Sequence, residues 1–479
     1  MKIKGRYIRT FSYLYITLPP LIFLIGYSAP LWAAVFGVII VLSLWHCLSS
    51  SEEDYPDLPI DWTFFAAAAL ILVMIFLSGI GAHAYQNDDI PFRNRMFSSL
   101  VLEKWPLQRS IPINGEMQNR AFFYYLGFWM VPAVLGKLFG LRAAFFFLEL
   151  WAGLGVLLTW YHICRYTKRF SFFPLLLFFC FGGLDYIGWL LNGHNYFSGT
   201  EHLEWWSRYQ YSSFTTQLFW VYNQAIYGWI ITLMVLQSKK NRHLFFIWST
   251  GLLSCTLPFV GLLPYLIYRL WINYKDSQKS LSDNIRELFS FENVLGGGTI
   301  GIMSFLFLSG NIAAQNLHST SDTGITASSI AVYLTFIFLE AFVYLVLLWN
   351  KRRRGLYYIT AAVLALCPLI QVGRGMDFCM RASIPALLVL FLMILEALQP
   401  GTKNSLGKLK CCLLAFLICV GSISSMHELA RSLYYSPFMW ETSGFFAPQY
   451  IPDKALFSVD NCSGKTEDNL FFVYFAKKS

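Results

Sequence analysis

Runs of about twenty apolar residues recur along nearly the whole chain, and they constrain the fold more than any single motif. A bilayer core is about 30 Å thick and a helix rises about 1.5 Å per residue, so each run is long enough to cross. They lie near 9–27, 31–48, 62–84, 143–163, 170–192, 216–237, 294–314, 329–350, 356–372, 383–398 and 411–427. Residues 244–273 exceed one crossing and contain Pro258 and Pro264, which predicts two short helices turning near TLPFVG. At 56% hydrophobic and 13% charged, the chain is far more apolar than a soluble domain. The expected fold class is therefore all-α: an integral membrane bundle of about thirteen transmembrane helices in the lipid bilayer. The start, MKIKGRYIRT followed by an apolar run, is like a signal peptide, but a second apolar run follows at once, which predicts a retained first span.

The net charge of +9 sits in short clusters between spans, where it sets topology; a nucleic-acid partner is not expected. KIKGRYIR at the start, RYTKR at 165–169, KKNR at 239–242, KRRR at 351–354 and TKNSLGKLK at 402–410 should all be cytoplasmic. They share one side only if AFFYYLGFWMVPAVLGKLF, residues 121–139, does not cross and lies along or partly into the outer surface. Pro132, Gly127, Gly136 and Lys137 interrupt that segment, and its aromatics suit the headgroup level. The N-terminus is then cytoplasmic, and the long polar loops 85–142, 193–215, 315–328 and 373–382 face outward. Residues 1–427 form the membrane module, and 428–479 a small extracytoplasmic tail. Ten cysteines lie mostly inside apolar runs, so no disulfide framework is expected.

Three outward stretches carry chemistry. In AYQNDDIPFRNR, Asp88 and Asp89 follow a span directly and stand beside Arg93 and Arg95. A carboxylate there can accept a proton from a sugar hydroxyl, and a guanidinium can hold a phosphate bidentately, although a self-neutralising loop explains the same charges. The second stretch, residues 192–229, holds His194, His202, Glu201, Glu204 and Arg208 among Trp205, Trp206, Tyr209 and Tyr211. These aromatics suit either sugar stacking or an interfacial belt. Eight residues separate the two histidines, with no second ligand pair, so no metal site is assigned. Asn223 and Gln224 lie inside an apolar helix, where unpaired amides are costly, and are expected to line a cavity. In QVGRGMDFCMRASIPALL, Asp377 can neutralise Arg374 or Arg381 at helical spacing. Glu149, Asp185 and Glu340 are carboxylates within spans, and Asp185 is placed to floor an outward cavity. GGG at 296–298 follows no strand and is not read as a phosphate loop.

The acidic pair just past a span, the aromatic segment ending KLFG and the new span opening RAAF resemble the GT-C glycosyltransferases, mainly over residues 62–170. The segments YYLGFWMVPAVLGKLFG, GRGMDFCMRASIPAL and NLFFVYFAKK are more closely similar to a bacterial subset of such polytopic proteins. That subset's first loop reads Asp-Trp-x-Lys-His-Asn and its sixth span opens Pro-Gln-His. Here Asp89 is followed by Ile90, Pro91, Phe92, Arg93 and Asn94, and the second place reads Tyr222, Asn223, Gln224 and Ala225, with no histidine at either. The resemblance implies an enzyme of the bacterial inner membrane that moves a sugar from a polyprenyl-phosphate donor to a glycan or lipid acceptor on the outer face, with inversion. It implies Asp89 as base with Asp88 as its rival; with the charge argument, Arg93, Arg374 or Arg381 would hold the phosphate. It fixes no cofactor, although a divalent cation could take part. A lipid-linked-glycan transporter or flippase and a polysaccharide polymerase or ligase are the alternatives. The sequence carries no signal for sugar, acceptor or oligomeric state.

Overall fold

The computed structural model describes the chain except residues 51–53, 114, 195–200, 278–279, 316–326, 352–353, 373–376, 399–404, 447–461 and 479. Among the described residues, nine helices are long and apolar enough to cross a membrane: Gly5–Tyr27, Pro30–Ser49, Leu141–Thr167, Phe173–Leu191, Phe214–Gln237, Leu281–Asn311, Ser328–Leu347, Asp377–Leu398 and Gly407–Ser443. The other expected crossings are shorter or less apolar. Trp62–Leu77 has 16 residues, Leu244–Ser249 has 6, and Gly355–Leu366 has 12. Thr256–Asp276 has 21 but is not among the helices apolar enough to cross. The hairpin at 244–276 turns at 250–255, before TLPFVG, because Pro258 sits in the first turn of its helix, where a missing N–H costs nothing.

The basic clusters gather on one face. Lys2–Ile3 pairs antiparallel with Leu58–Pro59. Arg9 donates to the Leu48 and Ser50 carbonyls, and Arg165 to the Asp54 carbonyl at 2.8 Å. Arg242 meets Glu292 at 3.2 Å, and His46 approaches the same carboxylate at 3.5 Å. Glu396 joins Arg354 to Tyr166, and Lys410 reaches Asn350. These contacts link members of all five clusters through neighbouring loops.

Gly127–Phe139, in the segment expected not to cross, is a helix of 13 residues, about 20 Å at 1.5 Å per residue and short of a bilayer core. Gly140 at φ 90° lets the chain reverse straight into Leu141–Thr167, so the two helices pack as a hairpin. Its start is buried, with Phe128 and Trp129 edge-on to Tyr222.

Two features depart from the sequence reading. The first outer loop contains an antiparallel hairpin, Gln108–Ile113 with Glu116–Phe122, and Ser463–Lys465 adds a third strand to it. The last membrane-length helix runs Ser405–Ser443, so the boundary expected at residue 427 falls inside one continuous element. Its 39 residues span roughly 58 Å, well beyond a bilayer core. Its far part is held by Ser432 on the Leu77 carbonyl at 2.5 Å, Ser436 on the Tyr85 N–H at 2.9 Å and Trp440 on the His83 carbonyl at 2.7 Å. The chain end is packed in as well: Asn469 caps Leu470–Tyr474 and donates to the Leu306 carbonyl, and Lys477 donates to the Gly26 carbonyl.

Candidate functional site

Asp89 opens the helix Ile90–Leu102, with Pro91 in its first turn. The four-residue spacing brings Arg93 back onto it, with Nη2 2.8 Å from Oδ2. The Arg93 side chain is 4% exposed and that of Asp89 47%, so one partner is fixed and the other faces solvent. Nη1 of Arg93 donates to the Trp220 carbonyl. The reason lies in Phe214–Gln237, which kinks at Val221 (φ −135°, ψ 33°). The carbonyls just before the kink are met by side chains, Trp220 by Arg93 and Phe219 by the Asn87 amide at 2.7 Å. Burial works against the Arg93 charge, but Asp89 together with the hydroxyls of Tyr124, Tyr222 and Tyr125 outweighs it and holds the guanidinium above its usual range.

The third stretch converges on the same place. Arg381 is buried, with Nη2 3.3 Å from Asp377 Oδ1 and Nη1 donating to Tyr125 Oη at 3.4 Å. Asp89 lies close enough for its charge to act on Arg381. Tyr124 and Tyr125 stand between the two arginines, their ring centroids 3.8 Å apart. Neither Nε, of Arg93 or of Arg381, has a partner among the described residues. A half-exposed carboxylate thus stands beside two buried guanidiniums. Both Arg381 contacts are long, whereas the two Nη groups of Arg93 are committed to Trp220 and Asp89.

A second, fully buried network lies across Trp220. Its indole N–H donates to Glu428 Oε2 at 2.9 Å. Glu428 Oε1 takes His202 Nδ1 at 2.8 Å and Arg431 Nη1 at 3.0 Å. His202 Nε2 lies 3.5 Å from Glu204, which also accepts from Gln210 at 3.0 Å and the Ser213 N–H at 2.9 Å. Burial would lower the His202 pKa, but hydrogen bonds to Glu204 and Glu428 overcome this and push it up to about 9. It is therefore an imidazolium at neutral pH. Beside this network Asp185 accepts from Ser424 at 2.9 Å, Glu340 accepts from Trp206 Nε1 at 3.2 Å, and the two carboxyls adjoin. Both sit at helix interruptions: residues 181–184 separate Phe173–Cys180 from Asp185–Leu191, and Glu340 lies in the π-helical turn Phe338–Phe342. A cavity of about 510 Å³ opens next to them, lined by Leu191, Asn192, Trp206, Arg208, Val332 and Thr335 among others.

The expected site residues therefore divide. Asp89, Arg93, Arg381 and Asp377 come together, with Asp88 exposed beside them. Asp185, His202, Glu204 and Trp206 belong to the buried network, and Trp205 packs edge-on against both His202 and Trp220. His194 is apart, stacked on Trp189 at 4.1 Å. Tyr209 packs on Tyr333 and Phe336 of a span instead of offering an open stacking face. Asn223 and Gln224 are buried, with both amide ends of Asn223 and Oε1 of Gln224 unpartnered among the described residues. Arg374 lies outside the described residues. Among these no group of three or more His, Cys, Asp or Glu is arranged to hold a metal ion.

Sequence reasoning missed Glu428, Arg431, Gln210, Asn87 and the tyrosine pair 124–125. Glu428 and Arg431 had a signal, an acid and a base three apart in SSMHELARSLYY directly after an apolar run. Ending the span at 427 assigned them to the tail.

The fold defines a multi-pass, predominantly helical membrane protein with charged groups buried inside its helix bundle. Comparison with protein-family models, with curated proteins and with solved structures gives no match to this chain.

Proposed function

We propose that the protein is a membrane glycosyltransferase that takes a sugar from a polyprenyl-phosphate carrier on the side opposite the basic face. The observation that carries this reading is the half-exposed Asp89 carboxylate beside buried Arg93 and Arg381, assembled from two separate stretches of chain. The basic face is cytoplasmic by the distribution of Lys and Arg, so the site is extracytoplasmic. Asp89 takes the proton of the acceptor hydroxyl as that oxygen attacks the anomeric carbon; the bond to the carrier phosphate breaks, and the phosphate leaves with its electron pair. Arg381 is the better phosphate ligand, because its long contacts can be exchanged at small cost. Arg93, held by the Trp220 carbonyl, fixes Asp89 in place. Positioning and charge stabilisation supply most of the acceleration.

The test is incubation of the purified protein with polyprenyl-phosphate sugars. Asp89→Asn should lower transfer by roughly 10²- to 10⁴-fold, with Asp88→Asn much less affected. If Asp89→Asn is silent while Asp185→Asn abolishes turnover, the assignment of the base is wrong. A second reading, a transporter of lipid-linked glycans, is favoured by one observation: Asp185 and Glu340 adjoin at interruptions in two neighbouring helices, the kind of place where transporters bind coupling ions. It prevails if no carrier is consumed but labelled lipid-linked glycan crosses proteoliposomes.

A further inference from the structure

The opposite, basic face carries a pocket that none of this chemistry uses. Helices Leu141–Thr167, Phe173–Cys180 and Ile384–Leu398 end around a cavity of about 260 Å³ lined by Thr167, Arg169, Ser171, Phe173, Pro174, Leu395 and Leu398. Its two ends differ chemically. One is walled by Phe173, Pro174, Leu395 and Leu398, of which Phe173 is half-exposed at the surface. The other holds Arg169, placed there because Lys168 takes a left-handed conformation (φ 56°) that ends the helix and turns the chain. The Arg169 side chain is exposed and makes no ion pair or hydrogen bond among the described residues. The nearby Glu396 does not neutralise it, being held by Arg354 and Tyr166. Ser171 Oγ accepts from the Phe173 N–H at 3.3 Å, which orients the hydroxyl and leaves its proton to donate. Thr167 donates to the Ile163 and Cys164 carbonyls. No carboxylate is among the described residues that line the pocket.

We propose that this pocket binds an anionic phospholipid of the adjoining leaflet, with its phosphate on Arg169 and Ser171 and the start of one acyl chain along Phe173, Pro174, Leu395 and Leu398. The cavity, about 260 Å³, holds far more than a single water. That suits a phosphate and the first carbons of a chain whose remainder lies on the helix surface. Arg165, Lys168 and Arg169 are positive and clustered in sequence, so a second negative charge in the headgroup is favoured and the ammonium of a zwitterionic lipid is not. The site is independent of the reaction at the other face.

The experiment is native mass spectrometry of the full-length protein, stripped of lipid in detergent and then offered phosphatidylglycerol or phosphatidylcholine. The unaltered chain should retain one phosphatidylglycerol in clear preference to phosphatidylcholine. Arg169→Gln should lower that retention roughly fivefold, matching about 1 kcal/mol for one cation at a membrane surface. Arg169→Lys should keep most of it, with melting temperature confirming that each variant is folded. Equal retention of both lipids, or full retention by a folded Arg169→Gln variant, overturns the proposal. Displacement of the lipid by millimolar inorganic phosphate also overturns it, because the pocket would then be a free-anion site.

Discussion

His202 shows how much a single side chain can hold together in this bundle. It joins Glu204 to Glu428, and Glu428 in turn holds Arg431 and the Trp220 indole. Its pKa is raised in the folded chain to about 9 from an ordinary 6.5. A raised pKa means that the stabilisation is fully present below about pH 6.5 and is lost as pH climbs through about 9. The predicted melting temperature of the unaltered protein therefore falls between pH 7 and pH 9.5 by more than that of His202→Gln, measured in the same detergent. Equal slopes would show that His202 is not the titrating group. Arg381→Lys makes a second test of the proposed site: a point charge in place of the planar fork should weaken carrier binding, read as a raised KM, more than it lowers the melting temperature. Trp205→Ala removes a half-exposed ring that packs edge-on against His202 and Trp220, and a loss of stability below about 1 kcal/mol is expected from thermal unfolding.

The kinked helix Phe214–Gln237 is the element on which both ionic clusters depend. Its Trp220 carbonyl anchors Arg93 on one side while its Trp220 indole anchors Glu428 on the other. Asn87→Ala removes the donor to the buried Phe219 carbonyl and should cost about 1–3 kcal/mol, seen as earlier thermal unfolding. Asn87→Asp would leave an acceptor facing an acceptor and should cost more. The π-helical turn Glu292–Gly297 depends on close approach: a Cβ on Gly296 would meet Ser43 Oγ at 2.3 Å, so Gly296→Val should fold poorly. Packing between helices thus accounts for Gly296 and Gly297, whereas a Cβ on Gly298 would meet nothing within 4 Å. The strand hairpin at 108–122 had a legible signal, the Asn114-Gly115 dipeptide that favours a two-residue turn, with Gly115 at φ 85°. Its third strand had none, because Ser463–Lys465 pairs with Glu116–Phe122 over more than three hundred residues of chain.

Across the whole protein, charge and hydropathy agree on an architecture that labelling can check. In a cysteine-free background, Met117→Cys on the exposed hairpin should react from outside the cell and Arg286→Cys only after permeabilisation. The reverse pattern would invert the topology and move the proposed site to the cytoplasm. The apolar runs alone were enough to give the membrane class and most helix positions, because in a bilayer every backbone polar group must be satisfied within a helix. The shared face of the basic clusters was equally legible, since it follows from charge parity along the chain. The composition of the site was legible only in pieces. Asp89 with Arg93 could be read from a four-residue spacing, as could Asp377 with Arg381, because such pairs are local. That the two pairs meet, and that His202 finds Glu428 226 residues away, follows from how helices pack laterally, which no local spacing encodes. The kink at Val221 is of the same kind: no proline marks it, and it persists because Asn87 and Arg93 arrive from another element to satisfy the carbonyls beside it.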